Sequence, residues 1–363
     1  MRELTRRGIE ARVVTIGLGT ADGRDEFDDV PFHSVAALGA LGSLDDTLVF
    51  VSEAPPTTTM HPAYQVLHVP PPLRQQAQAS VVAGTRDRTL IATSRYAAAL
   101  WADFLDVGLD TIHVVYPFAE PEFATRPRAD RNDEVTRVLY AGRLTPEKGI
   151  YTLLSALHTD LFDPDSVSVT VTSAGADKPQ GAIIERLLRS HPDIALVPAR
   201  RTPADMASLL VEHDVVVMPS NAQYWHETFG ILSIEAQHAG CRVVASRDGG
   251  LPETDCGALV LVDADDAEAL AQGIVTARRL GPVLEHERLD ACRDFTVADS
   301  VTALLAVIEG VTGPTPMEVI QALEELVALP SAAEPHIRPA VQSPGIQSET
   351  VRSALPVRAV GSP

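Results

Sequence analysis

The sequence predicts an α/β protein with two Rossmann-like, doubly wound parallel-sheet domains that face each other across a cleft. Short β-branched runs alternate with amphipathic stretches along all but the last part of the 363 residues. Several of the runs are apolar on both faces, as strands of a parallel sheet covered by helices are. A polar, unpatterned segment at 124–134 (ATRPRADRNDE) separates two such series, and the length suits about two domains.

The predicted strands fall into two groups on either side of that segment. The first group is predicted at 12–16, 47–52, 64–69, 89–93 and 111–115; the second at 136–141, 166–172, 194–197, 215–219, 242–245 and 258–262. Strands that alternate with helices form layered α/β domains, so we assign 1–130 to an N-terminal and 131–310 to a C-terminal domain. Ligands of such sheets bind beyond the carboxyl ends of the strands, which predicts a site where the two domains meet.

The pattern changes after Gly310. Residues 311–329 are predicted to include one helix, because Met317, Ile320, Leu323 and Val327 fall on one stripe. From 330 to 363 the sequence consists mainly of Pro, Ala and Ser with few charges, which predicts a disordered tail.

Composition argues against several classes of function. The formal net charge of −20 disfavours binding to nucleic acid or to anionic membrane surfaces. No apolar run approaches the ~20 residues of a membrane span, and the basic N-terminus has no apolar core behind it, unlike a secretory signal. The three cysteines, Cys241, Cys256 and Cys292, are scattered as reduced thiols would be. These features predict a cytoplasmic protein.

The first motif with chemical content is YAGRLTPEKG at 140–149, between a predicted strand and a predicted helix at 150–157. Gly142 allows a tight turn as the chain leaves the strand. Arg143 and Lys148 flank the start of the helix, where free N–H groups also favour negative charge. The motif therefore predicts a diphosphate site, although a solvated loop with two cations would have the same composition.

The second motif is ETFGILSIE at 227–235, which opens a helix predicted at 229–239. Glu227 lies at the mouth of this helix and Glu235 about two turns further on, roughly 12 Å along the axis. Carboxylates accept hydrogen bonds from hydroxyl groups, so the two could hold both ends of a ligand whose phosphates meet the helix start. The alternative is a pair of ordinary helix acids.

The third motif is SRDGGLPE at 246–253, after the strand predicted at 242–245. Adjacent glycines, Gly249 and Gly250, allow close approach of a ligand to the backbone, and an ordinary glycine loop is the alternative.

Together the three motifs, in this order within about 110 residues, resemble the family 4 glycosyltransferases of the GT-B fold. The resemblance covers 138–270 closely, and mannosyltransferase-like members are the most similar. It implies transfer of a sugar from a nucleotide-diphosphate sugar to an unknown acceptor with retained anomeric configuration. No cofactor is implied beyond this donor substrate.

The resemblance also implies roles for individual residues. Arg143 and Lys148, after Gly142, would bind the donor diphosphate. Glu227 would orient the transferred sugar, and Glu235 would accept from the ribose hydroxyls. The backbone of Phe229, Gly230, Ile231 and Leu232 would meet sugar and phosphate, and the base would lie near 198–201 by analogy of position only.

The first half matches the family less closely. The segment YQVLHVPPPLR at 64–74 resembles one that ends a first-domain strand in the family, which makes His68 a candidate catalytic residue facing the donor sugar. His61 is a weaker competitor. Glu120 replaces the Asp usual in the turn that closes this domain.

One departure concerns the start of the chain. Family members begin with a strand and a Gly-Gly loop, whereas this chain begins at what resembles the end of the following helix, at 3–8. The true start lies upstream of Met1, or the domain is rebuilt without that strand, or 12–16 and the glycines after it serve as strand and loop. The last alternative conflicts with the acidic residues at 22–29, which would repel a diphosphate.

The sequence offers no metal motif in a suitable loop and no covalent nucleophile. Asp263 and Asp265 precede a predicted helix, and we interpret them as its cap. A non-catalytic nucleotide-sugar-binding or partner subunit with an incomplete first domain remains the alternative function. A nucleotide-sugar epimerase is disfavoured by the context of Glu227 and Glu235.

Overall fold

The computed structural model contains three parallel sheets with helices packed on them. It describes residues 1–17, 30–51, 54–128, 135–161, 166–223 and 226–310. The described strands form a two-stranded, a four-stranded and a six-stranded sheet. The predicted α/β class is therefore confirmed, whereas the helix predicted at 311–329 and the tail at 330–363 lie outside the described residues.

The described residues of the first half form six strands in two sheets. The bounds are β1 Val13–Ile16, β2 Phe32–Val35, β3 Leu48–Phe50, β4 Ala63–Leu67, β5 Arg88–Ala92 and β6 Ile112–Val114. Strand β2 pairs with β1, and β3 to β6 follow one another across the second sheet. The sequence analysis did not predict β2, because two of its four residues, His33 and Ser34, are polar.

Residues 1–128 contain four described helices: α1 Arg2–Arg6, α2 Gln75–Thr85, α3 Arg95–Leu105 and α4 Pro121–Thr125. Helix α4 packs in the core of the second half through Phe123. Helix α3 is capped by Ser94, whose hydroxyl accepts from the N–H of Ala97. Its buried face carries Ala97, Ala98 and Trp101, which pack against β4, β5 and β6. The small residues allow close packing, so the start of α3 is held at the carboxyl edge of this sheet.

The second half forms one six-stranded parallel sheet in the order β12-β11-β10-β7-β8-β9. The bounds are β7 Thr136–Tyr140, β8 Val167–Thr172, β9 Ile194–Val197, β10 Val215–Met218, β11 Arg242–Ser246 and β12 Leu259–Val262. Strands β7 and β10 are neighbours at the centre of the sheet. Strands β8 and β9 follow β7 on one side, and β11 and β12 follow β10 on the other side. Such a switch point opens a crevice at the carboxyl ends, where ligands of α/β sheets bind.

The helices of this half are α5 Ile150–Ala156, α6 Pro179–Arg189, α7 Pro203–Leu210, α8 Ile231–His238, α9 Ala267–Leu280, α10 Glu285–Ala291 and α11 Val297–Ile308. Helix α8 begins two residues later than predicted, because Gly230 has φ +99°. The cap of α9 is Asp266, which accepts from the N–H of Ala269 at 2.9 Å. The interpretation of Asp263 and Asp265 as that cap is therefore wrong; Asp265 has φ +60°.

Within the described residues, the chain crosses between the halves twice. Around Tyr116 it enters the second half, and after Phe295 it returns through α11, whose Val307 packs on Tyr64 and Ile91. The two crossings touch each other, since the rings of Tyr116 and Phe295 lie 5.5 Å apart. Helix α11, within the range assigned to the C-terminal domain, thus contacts first-half strands. The division at 130 stays a prediction.

Candidate functional site

The loop after β7 is wrapped around a buried tyrosine. The Tyr140 hydroxyl lies 3.0 Å from the carbonyl of Arg143 and 3.1 Å from that of Lys148, and it donates to both. Burial raises the pKa of Tyr140 well above its usual value, so the hydroxyl keeps its proton. A Cβ at Gly142 would lie 3.0 Å from the tyrosine ring, which explains the glycine. The backbones of both predicted phosphate-binding residues are therefore fixed.

Lys148 points to Glu227. Its ammonium group forms an ion pair with Oε2 of Glu227, and the two side chains are only 19% and 16% exposed. The loop reaches this position because Gly149, with φ +72°, passes so close to Pro219 that a Cβ would overlap the proline carbonyl. The predicted phosphate and sugar residues therefore share one corner, between the ends of β7 and β10.

The side chain of Arg143 extends from the same loop and is 62% exposed. Its guanidinium lies 3.9 Å from the carboxylate of Glu147, a weak surface pair in water. Arg143 is thus available to an incoming anion beside Lys148.

The two glycines of the third motif hold the backbone of the second. The N–H of Gly250 donates to the carbonyl of Glu227 at 2.7 Å. Added Cβ atoms at Gly249 and Gly250 would lie 2.1 and 2.2 Å from the carbonyl oxygens of Glu227 and Thr228. The glycines are therefore required because two loops of the protein contact each other here. The sequence analysis had instead explained them by the close approach of a ligand.

Helix α8 opens toward this corner with no side-chain cap at Gly230. The amide groups at Ile231 and Leu232 belong to its first turn, which favours an anion. The side chain of Ile231 is 46% exposed, whereas Phe229 is buried against Tyr116 and Phe295. Only the backbone of Phe229 could therefore make the predicted contact with sugar and phosphate.

Glu235 lies further along α8 in a different environment. Burial, together with the smaller effect of the Glu120 carboxylate from the first crossing between the halves, raises the pKa of Glu235 to about 7. Lys148 and Glu227 thus lie at the mouth of α8, whereas Glu235 lies further along the helix, where the charge of Glu120 acts on it. The roles predicted for these residues stay predictions.

The first half reaches the site through its backbone and through α3. The carbonyl of His68 accepts from Oγ1 of Thr228 at 2.9 Å, and the hydroxyl of Ser94 donates to the carbonyl of Thr228. Residue His68 is exposed, and its backbone thus contacts the residue that follows Glu227. His61 lies elsewhere, with Nε2 2.5 Å from Asp45.

Glu253 joins the two halves and had no role in the sequence analysis. Its carboxylate accepts from the backbone N–H groups of Arg95 at 2.9 Å and Tyr96 at 2.8 Å, and from the hydroxyl of Tyr116 at 2.8 Å. A carboxylate at a helix N-terminus satisfies free N–H groups and is favoured by the helix dipole. Glu253 therefore fastens α3 to the second half.

His226 and Asp248 form a further pair that the sequence analysis missed. Nδ1 of His226 lies 2.6 Å from Oδ1 of Asp248, and this hydrogen bond raises the pKa of His226. In the sequence, His226 directly precedes Glu227 and Asp248 directly precedes Gly249, so both lie in or next to the predicted motifs. Nothing in the sequence alone indicated that the two would meet.

Two kinds of feature are absent from the described residues. No group of three or more His, Cys, Asp or Glu side chains in this part of the chain could hold a metal ion. No helix among the described segments is both long and apolar enough to span a membrane.

The second half of the chain matches a family of known proteins. Residues 135–278 match the family model described as "Glycosyl transferases group 1". The D-inositol 3-phosphate glycosyltransferase of Corynebacterium diphtheriae is 32% identical over 190 residues, which are 46% of this chain and 43% of that protein. The match thus spans less than half the length of this relative.

Two solved structures are similar over most of their length. A glycosyltransferase from Rickettsia africae ESF-5 has a TM-score of 0.66 at 15% identity, covering 90% of this chain and 93% of that one. Anabaena HepE in complex with UDP-glucose has a TM-score of 0.61 at 19% identity, covering 79% and 87%. At such identities the likeness establishes the fold. The chain therefore has the GT-B fold, and its residues 135–278 match the model of the group 1 glycosyl transferases.

Proposed function

We propose that this protein transfers a glycosyl group from a nucleotide-diphosphate sugar to a hydroxyl of an acceptor, with retained anomeric configuration. The observation that carries the proposal is the Lys148–Glu227 ion pair beside the uncapped start of α8, at the switch point of the second-half sheet. A pyrophosphate binds cationic hydrogen-bond donors, whereas the hydroxyl groups of a sugar bind acceptors. Lys148 and Glu227 offer a cationic donor and an acceptor side by side.

The leaving group of the reaction is a nucleoside diphosphate, which gains negative charge as the bond to the sugar breaks. Lys148, Arg143 and the first amides of α8 would stabilise this charge, as electrostatic preorganisation requires. No step of this scheme needs a metal ion. Because Tyr140 and Gly149 fix the loop in advance, little reorganisation accompanies the reaction.

Glu227 would accept hydrogen bonds from the transferred sugar. Its carboxylate already faces Lys148, and its backbone is held by Gly250, so the acceptor atoms are oriented before a ligand arrives. The exposed His68 would approach the same sugar from the first half, because its carbonyl is tied to Thr228.

Glu235 would accept from the ribose hydroxyls at the other end of the donor. The pKa of about 7 means that the carboxylate and the neutral acid are both populated near neutral pH. Only the ionised group is purely an acceptor, so binding through Glu235 should strengthen as pH rises through 7.

The relatives suggest which ligands to test first. HepE was solved with UDP-glucose, and the corynebacterial relative is named for D-inositol 3-phosphate. We propose uridine-diphosphate sugars as donors and phosphorylated small polyols as first acceptors. We also propose a cytoplasmic location, since Cys241, Cys256 and Cys292 are free thiols, as in reducing compartments.

The test combines donor binding with transfer. Thermal unfolding of the full chain is followed with UDP-, GDP- and ADP-sugars, since a ligand at 100 times its Kd adds about 2.7 kcal/mol of stability. The best donor is then incubated with candidate acceptors, and product is detected by mass spectrometry with its anomeric configuration assigned by NMR. Stabilisation by a nucleotide sugar with transfer supports the proposal. Stabilisation without transfer or donor hydrolysis favours a non-catalytic subunit, and no stabilisation contradicts both.

A further inference from the structure

Glu120 lies near the residue proposed to bind the ribose of the donor, Glu235, and has no part in the scheme above. It directly precedes helix α4, and its side chain makes no capping hydrogen bond to that helix. Helix α4 packs against α8, which carries Glu235. The residues that flank the two glutamates lie in one buried cluster, which contains Ala119, Phe123, Ile234 and Ala236. The two glutamates therefore belong to helices in direct contact.

Both carboxylates lack a partner. Neither forms a hydrogen bond or an ion pair within the described part of the chain. Glu122, on the same short helix as the first pair member, has an Oε2 that is fully enclosed, whereas no oxygen of Glu120 or Glu235 is enclosed in this way. The two carboxylates are thus partly withdrawn from water and still accessible to a ligand. Since polar groups in such places almost always have partners, the pair lacks hydrogen-bond donors.

The charges around the pair make this lack costly. Burial raises the pKa of Glu120, and Glu122 raises it further, whereas Arg2 and the terminal amino group, at the start of α1, lower it. Burial and, to a smaller extent, Glu120 raise the pKa of Glu235 to about 7. Each carboxylate therefore disfavours the ionised form of the other. Hydrogen-bond donors that reach both would stabilise the charged forms.

The position of Glu235 along α8 suits one part of the donor. The first amides of the helix belong to Ile231 and Leu232, and Glu235 follows about 6 Å further along the axis. In a nucleoside diphosphate, the ribose follows the phosphates by one methylene group. A diphosphate at the helix start therefore brings its ribose beside the second turn. The adjacent 2′ and 3′ hydroxyls then offer two donors to two acceptors.

We infer that Glu120 is a donor-binding residue: it accepts a hydrogen bond from one ribose hydroxyl while Glu235 accepts from the other, so that the pair selects ribonucleotides over deoxyribonucleotides. The inference rests on the proposed function. An analogue that lacks one hydroxyl leaves one carboxylate partly buried without a donor, and sites of this kind reject such analogues. The alternative is that Glu235 accepts from both hydroxyls and Glu120 acts on it only through its charge.

Calorimetric titration of the full chain tests the assignment. The ligands are UDP-glucose and its 2′-deoxyribose and 3′-deoxyribose forms, with the matching ADP- and GDP-glucose sets for the case that another base is preferred. A hydrogen bond to a charged group corresponds to about 10- to 150-fold in affinity, so the wild type should bind each deoxy form more weakly by such a factor. Glu235→Ala should lose the discrimination at one hydroxyl, and Glu120→Ala should lose it at the other.

Two further variants separate a contact from a change of shape. Glu120→Gln keeps the size of the side chain and a neutral acceptor, so its discrimination at the same hydroxyl should fall to about 2- to 12-fold. Glu122→Ala removes a carboxylate from the same helix and is the matched control, which should keep the discrimination at both hydroxyls.

The pH dependence of binding gives a second readout, because the diphosphate diester of UDP-glucose does not titrate near neutrality. Glu120→Ala removes a charge that raises the pKa of Glu235. The loss of binding on acidification should therefore move to lower pH in this variant.

Each result decides between named alternatives. If Glu120→Ala weakens all three ligands by the same factor, or loses discrimination at the same hydroxyl as Glu235→Ala, Glu120 does not contact the ribose and the inference is overturned. A wild type that binds the ribose and deoxy forms equally overturns it as well and leaves the proposed function standing. A wild type that binds no nucleotide sugar contradicts the proposed function itself.

Discussion

Lys148 and Glu227, which lie 79 positions apart in the sequence, form an ion pair in which each side chain is less than one-fifth exposed. Each was predicted to bind a different part of one donor molecule, and the structure brings them to a common corner. Such a pair holds both side chains in place before a ligand arrives. It also makes each residue depend on the other, because removing one leaves the other partly buried without its partner.

Lys148→Ala should weaken binding of the nucleotide sugar and slow transfer. A charge-assisted contact to phosphate is worth about 1.5–3 kcal/mol, so we expect a loss of roughly 10- to 150-fold in donor affinity. The chain contains two lysines, and the other, Lys178, is exposed beside Asp177, so Lys178→Ala is the matched control. Calorimetric titration with the donor measures both. Equal affinities for the two variants would remove Lys148 from the phosphate site.

Gly250→Ala should damage the site without any contact to a ligand. The added methyl group would lie 2.2 Å from the carbonyl oxygen of Thr228, so the segment that carries Glu227 must shift. Overpacking of this kind costs about 1–3 kcal/mol, and we expect transfer to fall at least about tenfold. Gly39→Ala, with open space around it, serves as control. Thermal unfolding and initial rates are the measurements, and wild-type values for Gly250→Ala would contradict the loop contact.

Glu253→Ala should loosen the junction between the two halves. Two backbone N–H groups of α3 and the Tyr116 hydroxyl would lose their acceptor, at a cost of about 1–3 kcal/mol, and Tm should fall by several degrees. Hydrogen exchange at Arg95 and Tyr96 should rise. Glu10→Ala, at an exposed position of the first half, should leave exchange there unchanged. Unaltered protection of α3 in Glu253→Ala would show that this carboxylate does not hold the helix.

Glu235→Gln should change stability in a pH-dependent way. The folded-state pKa of about 7 lies above the ordinary value of 4.5, so the folded protein binds a proton that the unfolded chain has released. Stability of the wild type therefore falls as pH rises from about 4.5 to 7. The uncharged Gln removes this dependence of stability on pH. We expect equal stability at pH 4.5 and a gain of about 1–3 kcal/mol for the variant at pH 8.

Denaturant unfolding at the two pH values measures this difference. Glu309→Gln, at an exposed position, is the control and should show no pH-dependent gain. The same Glu235→Gln variant should bind donor more weakly at pH 8, because a neutral amide is a poorer acceptor for ribose hydroxyls than a carboxylate. A gain that is identical at pH 4.5 and pH 8 would mean that Glu235 is not titrating in this range.

Local patterning predicted much of the fold. Apolar runs in the second half matched all six strands to within two residues at each end, because a strand buried on both faces needs continuous apolar sequence. Strand β2 was not predicted, since it has only four residues and two of them are polar. The start of α8 was misplaced by two residues because Gly230 takes a left-handed conformation that composition alone does not reveal.

The sequence by itself determined the fold class, the order of the three motifs and the residue types that suit a diphosphate and a sugar, because each follows from neighbours along the chain. Only the tertiary structure decided that Lys148 meets Glu227, that Asp248 holds His226 and that Glu253 fastens α3, which starts at Arg95. The physical reason is that these contacts join loops that follow different strands. They depend on the order of strands in the sheets and on how the two halves face each other, which no local pattern encodes.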